Sequence, residues 1–216
     1  ISRQTMLQLP ELKMIAISAT GMNNVDLDAA AELGIVVKNV SGYSTYSVAE
    51  ATIGSALALV RNSVYYDRYF KSGAYAATSD IFHFGRPISL LRGKNWGIIG
   101  LGTIGHQVAH LAEAFGCNIA YSSTSGVNRE ERYPRMELSE LLQWADVISV
   151  HSPLNAKTAG LIGKAEFEPR KRYQRVYRHE RFDKRQGKCV IFLNVYPVKI
   201  GKTDKEIVLW VLIVLA

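Results

Sequence analysis

The feature that most constrains this chain is a glycine pattern in a particular setting. Asn95-Trp96-Gly97-Ile98-Ile99 reads as a short apolar strand, and Gly100-Leu101-Gly102-Thr103-Ile104-Gly105 follows directly. The spacing then predicts a helix from His106 to Phe115, closed by Gly116, and a second strand over Asn118–Tyr121. A strand, a GxGxxG turn that opens a helix, and a returning strand are the parts of a dinucleotide-binding βαβ unit. Gly100 permits the tight turn, Gly102 leaves the backbone open to a pyrophosphate, and Gly105 lets the helix lie close to the strand. The helix amino end supplies free N–H groups and a partial positive charge. A glycine-rich turn with no ligand is the bland alternative, and the flanking strands favour the dinucleotide.

The same alternation runs along the first three quarters of the chain. Met14 to Ala19 reads as a strand and Thr20 to Asn24 as a turn. Asp26 can cap a helix from Leu27 to Leu33, which Gly34 ends, and Ile35 to Val37 is a further strand. Ser47 can cap one long helix from Val48 to about Lys71, with Ile53, Ala56, Leu57, Val60 and Val64 at helical spacing. Residues 73–93 lack periodicity and are rich in Gly, Ser, Phe and Tyr, a composition suited to an interaction arm. Leu138 to Trp144 is a short helix and Asp146 to His151 another strand. The pattern predicts an α/β fold with a Rossmann-type parallel sheet. It starts abruptly: Thr5 to Leu12 reads as the end of a helix with no strand before it, so the amino end looks cut into a domain.

Composition adds limits. Of 216 residues 48% are hydrophobic, enough for a core. The net charge of +7 is local: residues 1–163 hold thirteen basic and thirteen acidic side chains, whereas 164–216 hold thirteen and six. The basicity therefore belongs to a tail and says nothing about partners of the main body. In that tail, arginines between Pro169 and Lys188 are interleaved with Tyr173, Tyr177 and Phe182, which permits nucleic-acid contact, but a solvated basic stretch is commoner and nucleic acid is not expected. The two cysteines, Cys117 and Cys189, fit a reducing, cytoplasmic setting. No secretory leader opens the chain, and the longest apolar run, Ile207 to Ala216, is ten residues, too short for a bilayer. It reads as a buried strand or a sticky terminus. His106 and His110 lie one helical turn apart without an evident third ligand, so no metal site is expected.

An NAD site usually carries an acidic residue near the end of the second strand. Here Ser122-Ser123-Thr124-Ser125 occupies that place, with Arg129 and Arg132 nearby. Hydroxyls and a guanidinium suit a 2′-phosphate, which tilts the cofactor reading from NAD toward NADP.

Several segments together carry a family resemblance. They are Ala19-Thr-Gly-Met-Asn-Asn-Val-Asp-Leu27, Asn39-Val-Ser-Gly-Tyr-Ser44, Ser47-Val-Ala-Glu50 and Gly93 to Gly105. Asp146-Val-Ile-Ser-Val-His-Ser-Pro-Leu154 and Thr158-Ala-Gly-Leu-Ile162 complete the set. In this order the chain resembles the D-isomer-specific 2-hydroxyacid dehydrogenases, in particular their glycerate dehydrogenase and hydroxypyruvate reductase branch. The resemblance implies hydride transfer between a nicotinamide cofactor and a small 2-hydroxy or 2-keto acid, such as glycerate, hydroxypyruvate or glyoxylate, in a homodimer. It implies part of a flavodoxin-like substrate domain over 1–43, an NAD(P)-binding domain over 44–167 with a dimerisation arm near 73–93, and a divergent basic tail over 168–216. Backbone amides at Thr20 and Gly21 would hold the substrate carboxylate. Ser47 would lie near the cofactor, Thr103 and Ile104 at the pyrophosphate, and His151, Ser152, Pro153 and Thr158 beside the adenine and ribose. His151 is not the family's catalytic histidine, which lies nearer the carboxyl end.

The resemblance also implies an arginine in an Asn-x-x-Arg-Gly motif and a histidine paired with a glutamate. None of the three is identifiable here, so no catalytic residue is assigned. The nearest echo, Ile191-Phe-Leu-Asn-Val195, continues with Tyr196-Pro197, and a proline stands where the arginine would be. The charge shift near residue 168 fits a change of reading frame better than a divergent binding tail, and translating the coding DNA in all frames tests this. A non-catalytic dinucleotide-binding or oligomerising module is the alternative function.

Overall fold

The computed structural model describes residues 1–126, 132–153, 155 and 157–162, together with the backbone of 192–194. Two parallel sheets organise the chain. The smaller pairs β1 (Met14–Ile17) with β2 (Val36–Asn39) through the crossover helix α2 (Leu27–Glu32). Asp26 caps α2, its carboxylate accepting from Ala29 N at 3.0 Å, and Gly34 follows the helix at φ +70°. α1 (Arg3–Leu7) and α2 cover one face of this pair, burying Met6, Ile15, Ile17, Val25, Ala29 and Ala30 together.

The larger sheet has four parallel strands in the order β4-β3-β5-β6, with β3 (Asn95–Ile99), β4 (Asn118–Ser122), β5 (Val147–Val150) and β6 (Phe192–Asn194). Side chains along β3 alternate between two cores. Trp96 and Ile98 meet α3 (Thr45–Val60) and α5 (Thr103–Ala114) through Ile53, Ala56, Val108 and Ala112. Ile99, with Ile148 and Val150 of β5, meets α6 (Leu138–Trp144) through Leu141 and Leu142. A sheet covered on both faces explains why NWGII and VISV are apolar almost without interruption. Trp96 Nε1 donates to Ser149 Oγ at 2.9 Å, joining β3 to β5 inside the core. Cys117 is also internal, its thiol directed at Leu91 O, and burial pushes its pKa up to about 11. No helix among the described residues is long and apolar enough to cross a membrane.

Three local expectations are corrected. The long helix is two: α3 ends at Val60 and α4 (Ser63–Lys71) starts afresh. Between them Asn62 adopts φ +52°, the only positive φ outside glycine among the described residues. Its side-chain amide donates to Pro87 O at 2.6 Å, so the bend is tied to the far end of the arm. Val64, expected on the core face, is exposed in consequence. Ser47 is not the cap: α3 begins at Thr45, with Ser44 preceding it and making no side-chain cap bond. The helix after the glycine turn begins at Thr103, inside the motif, rather than at His106.

The arm folds back onto α4 through aromatic contacts. His83 stacks on Tyr69 at 3.6 Å between centroids and shares a 2.9 Å hydrogen bond with Tyr65. Tyr66 donates to Arg86 O. Phe82 and Phe84 remain exposed, at 71% and 89%. The described part of the Ile191–Val195 echo, Phe192–Asn194, is β6, whose backbone extends the sheet beside β5 in register Val150 with Asn194. The basic stretch 169–188 and the apolar run from Ile207 lie outside the described residues.

Candidate dinucleotide site

Strand order fixes where a ligand can lie. From β3 the chain passes through α5 to β4 on one side, and later returns to β5 on the other. That reversal opens a crevice beyond the carboxyl ends of the strands, where open α/β sheets take their ligands. A cleft of about 570 Å³ occupies this place. Its walls come from three strand ends: Gly100 to Gly102 after β3, Ser123 to Ser125 after β4, and His151 to Pro153 after β5.

The three glycines differ in what surrounds them. Gly100 has φ +90°, and a Cβ there would sit 2.8 Å from Ser152 N. The turn is also tied to the next strand, Gly100 N donating to Ser122 O at 2.9 Å. A Cβ on Gly105 would lie 2.4 Å from Gly100 O, so α5 packs against the turn only because that atom is missing. Gly102 has no neighbour within 4 Å of a built Cβ; its open side faces the cleft. It caps α5 in extended geometry, and its carbonyl accepts from His106 N at 2.8 Å. The N–H groups of Thr103, Ile104 and Gly105 precede the first intrahelical bond and need an outside acceptor. Open space, unspent donors and a helix amino end together suit an anionic diphosphate.

The remaining residues expected at the site divide. Ser123, Thr124, His151, Ser152 and Pro153 line the cleft with Gly100 and Gly102. Ser122 is buried in β4 and contributes its carbonyl to the Gly100 turn. Thr158 does not line the cleft; its hydroxyl donates to Pro153 O and accepts from Asn155 N at 2.9 Å, fixing the loop that does. Thr103 and Ile104 form the first turn of α5, and Ser47 is exposed in the first turn of α3. Thr20 and Gly21 follow β1 and are not among the residues lining the cleft; Thr20 O accepts from Asn39 Nδ2 at 2.6 Å. Arg132, considered for a phosphate, pairs instead with Glu113 of α5 at 2.5 Å and stacks on Tyr133. Arg129 lies outside the described residues. His106 and His110 stand on α5, and among the described residues no third potential ligand joins them. Asn155 and Lys157 also line the cleft, and no sequence pattern had singled them out.

His151 is the electrostatic oddity. Its backbone N–H continues the β3–β5 ladder by donating to Ile99 O at 2.8 Å. Its Nε2 is shut off from solvent and has no hydrogen-bond partner among the described residues, and burial lowers the imidazole pKa from 6.5 to about 4. The ring is therefore neutral at pH 7. Between 6.5 and about 4 the unfolded chain takes up this proton and the folded chain does not, so acidification favours unfolding. At about 1.4 kcal/mol per pH unit the full interval is worth ~3 kcal/mol. We expect the melting temperature to fall as pH drops from 7 to 4.5, and His151→Phe to flatten that fall.

Fold and crevice together define a Rossmann-type α/β protein with a cleft at the switch point of its parallel sheet. Residues 53–176 match the family model described as D-isomer specific 2-hydroxyacid dehydrogenase, NAD binding domain. The chain belongs to this family. It is 40% identical over 162 residues to a putative 2-hydroxyacid dehydrogenase of Haemophilus influenzae, covering 74% of this chain and 50% of that protein. A glyoxylate reductase of Aeropyrum pernix is 36% identical over 168 residues, covering 74% and 49%. Among solved structures, an acyclic imino acid reductase in complex with NADPH and D-Arg superposes with a TM-score of 0.66 at 28% identity, covering 73% of this chain and 50% of that one. The chain spans about half the length of the curated relatives it matches.

Proposed function

We propose that this chain binds NAD(P)H at the glycine turn and carries the coenzyme half of a reductase of small 2-keto acids such as hydroxypyruvate or glyoxylate. The observation that carries the reading is Gly102: open toward the cleft, at the head of α5, beside amides without acceptors. Bound there, the nicotinamide coenzyme supplies the hydride. The chain's own residues then have one task, to hold the diphosphate and orient the adenosine between the ends of β4 and β5. Relatives bearing the names glyoxylate reductase and hydroxypyruvate reductase support the substrate class. The hydroxyl run Ser122 to Thr124, with no carboxylate where a ribose diol would be held, supports NADP over NAD.

Hydride transfer to a keto acid also needs a cation on the carboxylate and an acid for the new alkoxide. No Asn-x-x-Arg-Gly motif or glutamate–histidine pair is identifiable in this sequence. The reading is therefore binding with little turnover by this chain, since loss of the acid alone typically costs about 10²–10⁴-fold. Exposed Phe82 and Phe84 on the arm, with Ile81 beside them, support pairing of two copies there. A cytoplasmic location completes the proposal.

Fluorescence titration with NADPH and NADH, followed by a hydroxypyruvate-dependent NADPH oxidation assay, tests it. Saturable uptake with turnover at least 100-fold below an intact relative is the expected result. No uptake by folded protein overturns the binding claim, and relative-like turnover overturns the claim of weak catalysis.

A further inference from the structure

The cleft contains a cation that neither the glycine pattern nor the family comparison assigns. Lys157 lines it together with Ser123, Thr124 and Ser125, and among the described residues no Asp or Glu lines it. The loop bearing Lys157 is held in place. Asn155 Oδ1 accepts from Lys157 N at 2.9 Å and from Thr158 N at 3.2 Å, while the Thr158 hydroxyl bridges back to Pro153 O. Among the described residues the Lys157 ammonium has no ion pair, in contrast to Arg132 and Lys71, which are held by Glu113 and Asp67. One cleft thus gathers three successive hydroxyls and a lysine ammonium without an ion pair, and no carboxylate stands among its described lining residues.

We propose that Lys157 is the specificity-determining cation for a 2′-phosphorylated dinucleotide, completing with Ser123 and Thr124 a phosphate seat at the adenosine end of the cleft. This rests on the reading that the cleft binds NAD(P)H. The physical argument is one of charge. A phosphate monoester carries close to two negative charges at neutral pH and three strong acceptor oxygens. Hydroxyls solvate it but do not neutralise it; an ammonium does both. A ribose diol gains little from the same lysine. Lys157 therefore separates the two coenzymes, whereas the amides of α5, which meet the diphosphate common to both, do not.

The test compares the full-length chain with Lys157→Ala and Lys157→Arg by calorimetric titration of NADPH and NADH, at low and at 0.5 M salt. Lys157 is exposed and outside every core cluster, so the variants should melt with the parent. We expect Lys157→Ala to weaken NADPH binding about tenfold while NADH binding stays within twofold. Lys157→Arg should retain the discrimination. Added salt should weaken NADPH binding more than NADH binding in the parent, and this difference should vanish in Lys157→Ala. Equal weakening of both coenzymes, or of neither, overturns the assignment while leaving the cleft a dinucleotide site. If the parent binds neither coenzyme, the underlying reading fails, and the lysine assignment with it.

Discussion

Gly102→Asp should leave the fold intact and abolish dinucleotide binding. Nothing lies within 4 Å of a Cβ at this position, so the new side chain displaces no protein atom. The residue has φ −88° and ψ −163° at the head of α5, the extended geometry in which aspartate is among the favoured caps. An Asp carboxylate there can accept from the N–H groups of the first turn, which gain an acceptor they otherwise lack. Helix stability should be unchanged or higher by a few tenths of a kcal/mol. The same carboxylate stands where a diphosphate must approach. Two like charges about 4 Å apart at an effective dielectric near 20 repel by about 4 kcal/mol, more than a 100-fold loss of affinity. Thermal melting and a titration with NADPH on one preparation check both halves. Retained binding would show that the ligand does not use this turn. Gly105 is the physical opposite: a Cβ there meets a backbone oxygen at 2.4 Å, so its replacement strains the fold itself.

Trp96→Ala should be the most damaging single substitution for stability. Trp96 is fully buried between the sheet and the helices α3 and α5. Truncating a buried tryptophan costs about 3–5 kcal/mol in lost transfer energy and residual cavity. It also strands Ser149 Oγ, which is fully buried and accepts from the indole at 2.9 Å. An orphaned buried hydroxyl adds about 1–3 kcal/mol. Against a total stability of about 5–15 kcal/mol, the melting temperature should fall by roughly 10 °C or more, or the chain should not fold. Trp96→Phe separates the two contributions, since it fills much of the space but still strands Ser149. Adding Ser149→Ala to Trp96→Phe should then restore about 1 kcal/mol. Denaturant unfolding of the three variants measures this, and equal stability of Trp96→Phe with and without Ser149→Ala would show the hydrogen bond to be worth nothing.

The parts of this molecule that were legible in advance are those governed by local pattern. NWGII, the glycine turn, VISV and the Asp26-capped helix each declare themselves within about ten residues, through apolar runs, φ-permissive glycines and a capping carboxylate. The features that were missed depend on partners distant in the chain. Val60 and Val64 keep helical spacing, so nothing in the sequence announces the bend at Asn62; its left-handed backbone is paired with a hydrogen bond to Pro87, 25 residues on. Ser44 and Ser47 are equivalent as caps by composition, and α3 starts at Thr45 with no side-chain cap bond from Ser44, so the capping rule had nothing to act on. Arg132 looked available for a phosphate because Glu113, 19 residues earlier, offers no local sign that it will reach it. Lys157 is a lone lysine in a polar loop, without period or motif. Only the meeting of three strand ends gives it a role.

That meeting has a thermodynamic corollary. Segments that begin near residues 95, 118 and 147 each lend one wall to a single crevice, so anything lodged in it grips all three at once. An occupant that recognises only the assembled crevice protects the chain against opening by RT ln(1 + [L]/Kd), about 2.7 kcal/mol at a hundredfold excess over Kd. Resistance to proteases inside a cell would then rise and fall with coenzyme supply, and the lifetime of the polypeptide would report the redox nutrition of its surroundings.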